Sequence, residues 1–374
     1  MSNIKRISIA IVVLVLVGVV IASFNGAKIQ DRSIIVGIGV DKGDEGMTVT
    51  AEVVAPGSGG QDQVGSFSKT VTVDGATIGE AIQNVAEKSG KEASLGQCVV
   101  IVFGQEFYET VDFSDTIDYL INHHSLKEST VICCCEGAAA ELFNKSDALS
   151  QGISLSIASM LLDEAIKVGI DTNSLLQFSR SQQELHKTGF LNRIKFTPSE
   201  NKDAQDPDKT QGYFTYREMA VFRQNKFVCN LSESEVAGMS LFKKNLKGDN
   251  FVSEQDGLKI TLQVNSKDIE QKLKGDEIEI NITLSVRLSR TDSEEVTGAL
   301  TAKKDKEIDP EVLEDVRKQA TALAELFIAK QAEYDFDLLK FHDMARQKHG
   351  TSQALANKPT GDYTVKLKIE VKEN

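Results

Sequence analysis

The sequence predicts an α+β protein: an N-terminal membrane anchor, then a multi-domain ectodomain of mixed sheets with packed helices. Three observations predict it. An uncharged run of apolar residues, Ile7 to Phe24, opens the chain behind Lys5 and Arg6. Strand-like alternation and helix-like spacing then interleave through the first half. In the last part, long alternating runs flank one long capped helical stretch, which predicts an antiparallel sheet with long helices on one face.

The chain has 374 residues, with 42 Lys and Arg against 55 Asp and Glu, a formal net charge of −13. At about 150 residues per domain, two domains are expected. Apolar residues make up 41% and charged residues 26%, which excludes a disordered or collagen-like chain. The acid excess argues against a nucleic-acid partner, because phosphate contacts need clustered cations.

Ile7 to Phe24 reaches the length of a spanning helix. It is longer than an ordinary secretory core, so an uncleaved anchor over residues 1–27 is expected. Ala22, Ser23 and Ala27 keep cleavage open. The basic flank stays cytoplasmic, which puts Lys28 onward outside.

Ser33 to Val40 and Met47 to Val54 read as a strand pair turning through Asp41–Gly46. Pro56 to Gln63 is a loop, and Ser68 to Val73 resumes as strand. Thr77 and Glu80 fit a capping box for a helix with the stripe Ile78, Ile82 and Val85, stopping at Gly90. Val99 to Phe103 and Val131 to Cys135 are short buried strands, each followed by a helix, at Ser114 and Ala138. Ser146 to Ser181 is mostly helical. Asn201 to Gln211 has no large apolar residue and marks a boundary. The ectodomain thus divides into 28–198, with a subdivision open near 146, and 212–374.

Met219 to Leu231 reads as a hairpin turning at Gln224–Lys226. Ser232 and Glu235 form a second capping box. Leu258 to Val264 alternates, and Ile278 to Leu288 alternates most cleanly. Asp309 caps a helix beginning at Pro310, with the stripe Val312, Val316, Ala320, Leu323 and Phe327. Helix is expected again from Tyr334 to His349, and Tyr363 to Val371 closes as strand.

The chemistry is sparse. Cys98, Cys133, Cys134, Cys135 and Cys229 are odd in number, and a triplet on a strand points to alternating faces, so buried small hydrophobes are expected. Gly37-Ile-Gly39-Val-Asp41-Lys42 lacks the third glycine of a dinucleotide fingerprint and reads as a strand entering a turn. Asp41, Asp44 and Glu45, like Asp203, Asp206 and Asp208, lack calcium-loop spacing. His123 and His124 are adjacent and cannot share a zinc-binding helix face. His342, among Leu338, Leu339 and Met344, reads as a packed, hydrogen-bonded residue. No catalytic, cofactor, metal or lipidation residue is named by spacing, and an enzyme is not expected.

Several segments together resemble the Ger(x)C family, the C subunits of nutrient germinant receptors in spore-forming bacteria. The resemblance rests on Asp31-Arg-Ser-Ile-Ile35, Gly37-Ile-Gly39-Val-Asp41, Thr77-Ile-Gly-Glu-Ala81 and Ile117-Asp-Tyr-Leu-Ile121 in the first unit. In the second it rests on Met219-Ala-Val-Phe222, Lys226-Phe-Val228, Leu231-Ser-Glu-Ser-Glu-Val-Ala-Gly238, and Lys330-Gln-Ala-Glu-Tyr334 through Phe341. The resemblance implies a non-enzymatic subunit on the outer face of the inner spore membrane. Its implied partners are integral-membrane germinant-receptor subunits, and it implies no cofactor. The family's lipobox cysteine has no counterpart, since Ala22 to Asp31 reads ASFNGAKIQD and Cys98 is the first cysteine. The Ile7–Phe24 helix would replace the lipid. The alternative expectation is an extracytoplasmic module that binds a small molecule or cell-wall glycan.

Overall fold

Arg32 begins the first strand, β1 (Arg32–Gly43), which turns through two residues into β2 (Gly46–Val54). The computed structural model describes residues 32–54, 68–144, 152–164, 170–184, 186–198, 212–244, 249–255, 258–275, 277–289, 308–349 and 358–373. The expected anchor Ile7–Phe24 and the loops expected at 56–63 and 201–211 lie outside them. Among the described residues no helix is long and apolar enough to cross a membrane.

β3 (Ser68–Gly75) pairs with β2, and α1 (Ile78–Ser89) comes next. Thr77 accepts a hydrogen bond from the N–H of Glu80 at 3.2 Å, and Gly90 ends the helix in the left-handed region, φ 68°. Short β4 (Glu92–Ser94) and β5 (Val100–Phe103) both run parallel to β1. The chain continues through α2 (Gln105–Thr110), α3 (Ser114–Asn122), β6 (Val131–Cys135) and α4 (Ala139–Phe143). α5 (Ile153–Ser159) runs on as a π-helical turn over Met160–Glu164, and α6 (Leu175–Gln183) is capped by Ser174.

β7 (Thr188–Pro198), a strand that the residue pattern does not single out, pairs parallel to β6. Beyond it lies the hairpin β8 (Gly212–Arg223) and β9 (Lys226–Leu231). Gln224 and Asn225 both hold positive φ, 54° and 60°, as a tight two-residue turn requires. The larger sheet therefore runs β3-β2-β1-β5-β6-β7-β8-β9, with β4 beside β1. Its parallel centre is covered on both faces. Ile38, Ile101, Phe103 and Cys134 face α1, α3 and α6, while Val100, Val102, Cys133 and Cys135 face α4 and α5. All five cysteines are buried and unpaired, and burial pushes Cys98 up to about 12 and Cys229 up to about 11.

After α7 (Glu233–Ser240), a second sheet runs β10 (Asn250–Gln255), β11 (Leu258–Lys274), β12 (Glu277–Leu288) and β13 (Thr364–Glu373). Ile278, Ile280, Ile282, Leu284 and Val286 of β12 are all buried, as their alternation demands. They pack against Val312, Val316, Ala320 and Phe327 of α8 (Pro310–Tyr334). The expectation of a purely antiparallel sheet is corrected here: β13 pairs parallel to β12. A 25-residue helix, about 37 Å long, carries the chain back across the sheet, so β13 starts from the end where β12 started.

A second correction concerns Tyr334 to His349. The helix stops at Asp335, whose φ is 51°, and α9 (Phe341–His349) begins only after a loop. Two side chains stabilise the break. Gln331 Oε1 accepts from the N–H groups of Leu338 and Leu339 at 3.0 and 3.1 Å. Asp337 accepts from those of Phe341 and His342 at 2.8 and 2.9 Å. These satisfy backbone donors that a helix end leaves open.

The β8–β9 hairpin belongs to both cores. It hydrogen-bonds into the larger sheet through β7. Ala220 and Phe222 face that sheet's core, while Met219, Val221, Cys229 and Leu231 face the core of α7, α8 and the second sheet. Alternation on a strand buried on both faces produces this division. α7 then lies directly on α8. A Cβ at Gly238 would overlap the carbonyl oxygen of Leu323, so glycine is what permits the approach.

Candidate functional site

The carboxyl ends of the parallel strands β1, β5 and β6 are where open sheets commonly bind ligands. A crevice of about 390 Å³ lies there, lined by Asp41, Lys42, Gln105, Glu106, Glu109 and Gly137. The N-terminus of α4 points its free N–H groups at this edge, but Asp41 already fills it. Its carboxylate accepts from Ala139 N at 2.7 Å and Ala140 N at 2.8 Å. Burial pushes the Asp41 carboxyl up, against the pull of those two donors. The start of α5 is filled likewise: Glu52, buried on β2, accepts from the N–H of Ser154 at 2.9 Å and from its hydroxyl. At the crevice, the chain's own carboxylate therefore occupies the helix end that an anionic cofactor would need.

The glycines of this motif serve packing. A Cβ at Gly37 would overlap Ser154, one at Gly39 would press on Ala139 and Phe143, and one at Gly104 would overlap the Asp41 carboxylate. β1 runs through the motif into its hairpin, as the missing third glycine predicts. At the rim, Arg193 pairs with Glu218, bonds Tyr108 Oη at 3.2 Å and reaches Glu136 at 3.4 Å. Asp44 and Glu45 are exposed at the β1–β2 turn, beside a hollow of about 560 Å³. The acidic run Asp203, Asp206 and Asp208 lies outside the described residues.

The histidines separate by their partners. His123 and His124 stack on each other, ring centroids 4.9 Å apart, at the end of α3. His342 has acceptors at both nitrogens: Asp337 Oδ2 at 2.6 Å from Nδ1 and the carbonyl of Lys358 at 2.7 Å from Nε2. Two acceptors require two N–H donors, so this geometry selects the imidazolium. Burial alone would lower the His342 pKa, but the hydrogen bond and charge of Asp337 outweigh it and hold it above its ordinary value. Burial likewise opposes ionisation of Asp337, and the donors of His342 and Phe341 overcome it. A raised histidine pKa contributes stability that is fully present below the unfolded value, about 6.5, and is lost as pH rises through the folded value. The loop before α9 is therefore expected to loosen in alkaline solution. The difference in melting temperature between wild type and His342→Gln should be larger at pH 6 than at pH 9, measured by scanning calorimetry.

His342 thus matches the sequence expectation of a packed, hydrogen-bonded residue. His186, at the entry to β7, does not have the same completeness. Its side chain is 2% exposed, and Nδ1 has no hydrogen-bond partner. It lies where α9 meets the segment after α6, together with Glu184, Lys340 and Asp343. Arg223 of β8 bonds Asp335 across the same junction at 2.9 Å, and Asp337 N lies 3.4 Å from Thr188 Oγ1.

A further groove, about 310 Å³, opens between α7, α8 and β10. Its apolar floor is Ile170, Val236, Phe251 and Leu323, and its polar groups include Arg217, Glu233 and Gln319. Beneath one end, Lys267 of β11 is buried against Asp249 and donates to the carbonyl of Ser240 at 2.8 Å. No spacing rule announces Glu52, Arg193, Lys267 or His186. The available signal is for Lys267 alone: the apolar alternation of β11 changes phase after Val264, where the register to β12 shifts.

Comparison with known proteins agrees with this architecture. The family model for the spore germination protein N-terminal domain matches residues 25–196. The model described as spore germination B3/GerAC like, C-terminal, matches residues 217–374. A solved structure, the crystal structure of the GerBC protein, superimposes with a TM-score of 0.50 at 16% identity. That match covers 90% of this chain and 96% of the other, and it shows a shared fold. No curated protein sequence matches significantly. Two family models in tandem, over a fold shared along nearly its whole length, make the assignment: the chain belongs to the Ger(x)C family of spore germination proteins.

Proposed function

We propose that this protein is a membrane-anchored extracytoplasmic subunit of a germinant-receptor-like complex, required for spore germination in response to nutrients. It acts by protein–protein contact with integral-membrane receptor subunits. In a sporulating host it sits on the outer face of the inner spore membrane, held by Ile7 to Phe24. The observation that carries the reading is the tandem match of both family models, which supports a germinant-receptor-related role in germination. Two features of the chain fit a contact role. The helix end at the crevice is filled by Asp41. On the outer side of α5 and its π turn, Leu155 and Leu162 are each 49% exposed, seven residues apart.

The test is a mild-detergent pull-down of the tagged full-length protein from native membranes, with mass spectrometry of the co-purifying proteins. Stoichiometric recovery of polytopic membrane proteins is expected. Recovery of the protein alone, under conditions that keep other complexes intact, would overturn the reading. A second reading, small-molecule binding, rests on the groove beside Arg217 and Glu233, whose apolar floor and few polar groups suit a small ligand. A nutrient-dependent rise in melting temperature that Arg217→Ala abolishes would favour it.

A further inference from the structure

We propose that His186 and Asp343, with Glu184 holding the far nitrogen of the imidazole, form a binding site for a divalent cation of the zinc class, which clips the segment after α6 to α9. The three side chains bring one ligand atom each within 4.8 Å of one another. His186 Nε2 lies 3.2 Å from Glu184 Oε2, and Nδ1 lies 3.8 Å from Asp343 Oδ2. Ligand atoms on a tetrahedral metal with bonds near 2.0 Å stand about 3.3 Å apart, so an ion on Nδ1 needs only a small closure of Asp343, while Glu184 stays on the Nε2 side of the ring.

The imidazole is the decisive group. Its side chain is 2% exposed and its Nδ1 is buried without a hydrogen-bond partner. Leaving a buried polar atom unsatisfied is costly. His342, on the same helix as Asp343, has both nitrogens satisfied. His186 has one nitrogen aimed at a carboxylate beyond hydrogen-bond range, the arrangement a coordinated ion would complete. The other nitrogen faces Glu184, and such a carboxylate orients a ligating histidine as well as completing the charge balance. Thr188 fixes the backbone here, its hydroxyl donating to the His186 carbonyl at 2.9 Å. An imidazole nitrogen beside a carboxylate suits zinc, cobalt or nickel better than calcium or magnesium, which take oxygen sets. Glu184 and Asp343 are 42% and 33% exposed, which leaves an entry path and a place for water.

The ammonium of Lys340 lies 3.1 Å from Glu184 Oε2, so its positive charge stands beside the site and opposes a bound cation. Because Glu184 and His186 precede β7 while Asp343 sits on α9, a bound ion would tie the larger sheet to the helices of the second. The orientation of the two units would then depend on metal supply.

The experiment uses untagged full-length protein in detergent, stripped with a chelator and titrated with Co²⁺ and Zn²⁺. The readouts are the visible absorption of bound Co²⁺, its displacement by Zn²⁺, and the melting temperature with and without metal. One metal per chain and a metal-dependent, chelator-reversible rise in melting temperature are expected. Asp343→Asn, isosteric and partly exposed, should weaken binding at least tenfold while the metal-free protein melts as wild type does. Lys340→Asn should tighten binding, since asparagine tolerates the positive φ of 60° held there. A wild type that takes up no metal overturns the proposal, as does either variant binding as wild type does.

Discussion

Replacing Asp249 by alanine should destabilise the second unit by about 3–5 kcal/mol, the usual result of removing one partner from a buried ion pair. The Lys267 side chain is fully buried, and Asp249 is the carboxylate that neutralises it. Burial already holds the Lys267 pKa below its ordinary value, against the pull of Asp249. Ser240 ties the pair to the end of α7: its hydroxyl bonds Asp249 at 2.9 Å, and its carbonyl accepts from Lys267. The loss should therefore loosen β10, β11 and α7 together. Chemical denaturation measures it. Adding Lys267→Met to Asp249→Ala should recover most of the loss, because a buried pair is replaceable by apolar atoms of similar volume. The pH dependence supplies an independent check. With its partner gone, the folded lysine loses its proton before the unfolded one does, so the unfolded state binds more protons. Stability of Asp249→Ala should then rise between pH 7 and about 10, the ordinary lysine value.

Phe222→Ala is expected to cost about 3–5 kcal/mol, as truncation of a well-packed aromatic does. The Phe222 ring lies 5.1 Å from Phe113, 5.5 Å from Phe178, and 6.2 Å from both Tyr108 and Phe227. These rings are spread over α2, the start of α3, α6 and the hairpin itself, so no single neighbour can move to fill the hole. Tyr213→Ala, on the same strand but 59% exposed, should stay within about 0.5 kcal/mol of wild type. Since Met219 and Val221 of this strand enter the other core, Phe222→Ala should lower the unfolding midpoint of both units together. Two separate transitions, with only the first displaced, would show that the shared hairpin does not couple them.

Most local elements are legible in the residue pattern. Both capped starts, at Thr77 and Ser232, and the turn at Gln224 and Asn225 rest on interactions within four residues of chain, and local interactions leave local signatures. Gly90 and Pro310 mark helix ends for the same reason. β7 carries no such signature: Thr188-Gly-Phe-Leu-Asn-Arg-Ile mixes apolar and polar residues because Asn192 and Arg193 find polar partners inside the fold. The break after Tyr334 is hidden because the side chains that stabilise it, Gln331 and Asp337, look like ordinary helix-surface residues until they turn inward.

Periodicity, caps and turns are encoded by near neighbours. They suffice for the α+β class, most of the strands and helices, and the resemblance that the family models confirm. The parallel pairing of β13 with β12, and the single hairpin that serves two cores, emerge only when the elements pack. The same holds for Asp41 and Glu52, which cap two helix starts from 98 and 102 residues away along the chain. The meeting of Glu184 and His186 with Asp343 is of this kind too. Contacts at such separation are set by packing of whole elements, and no spacing rule along the chain records them.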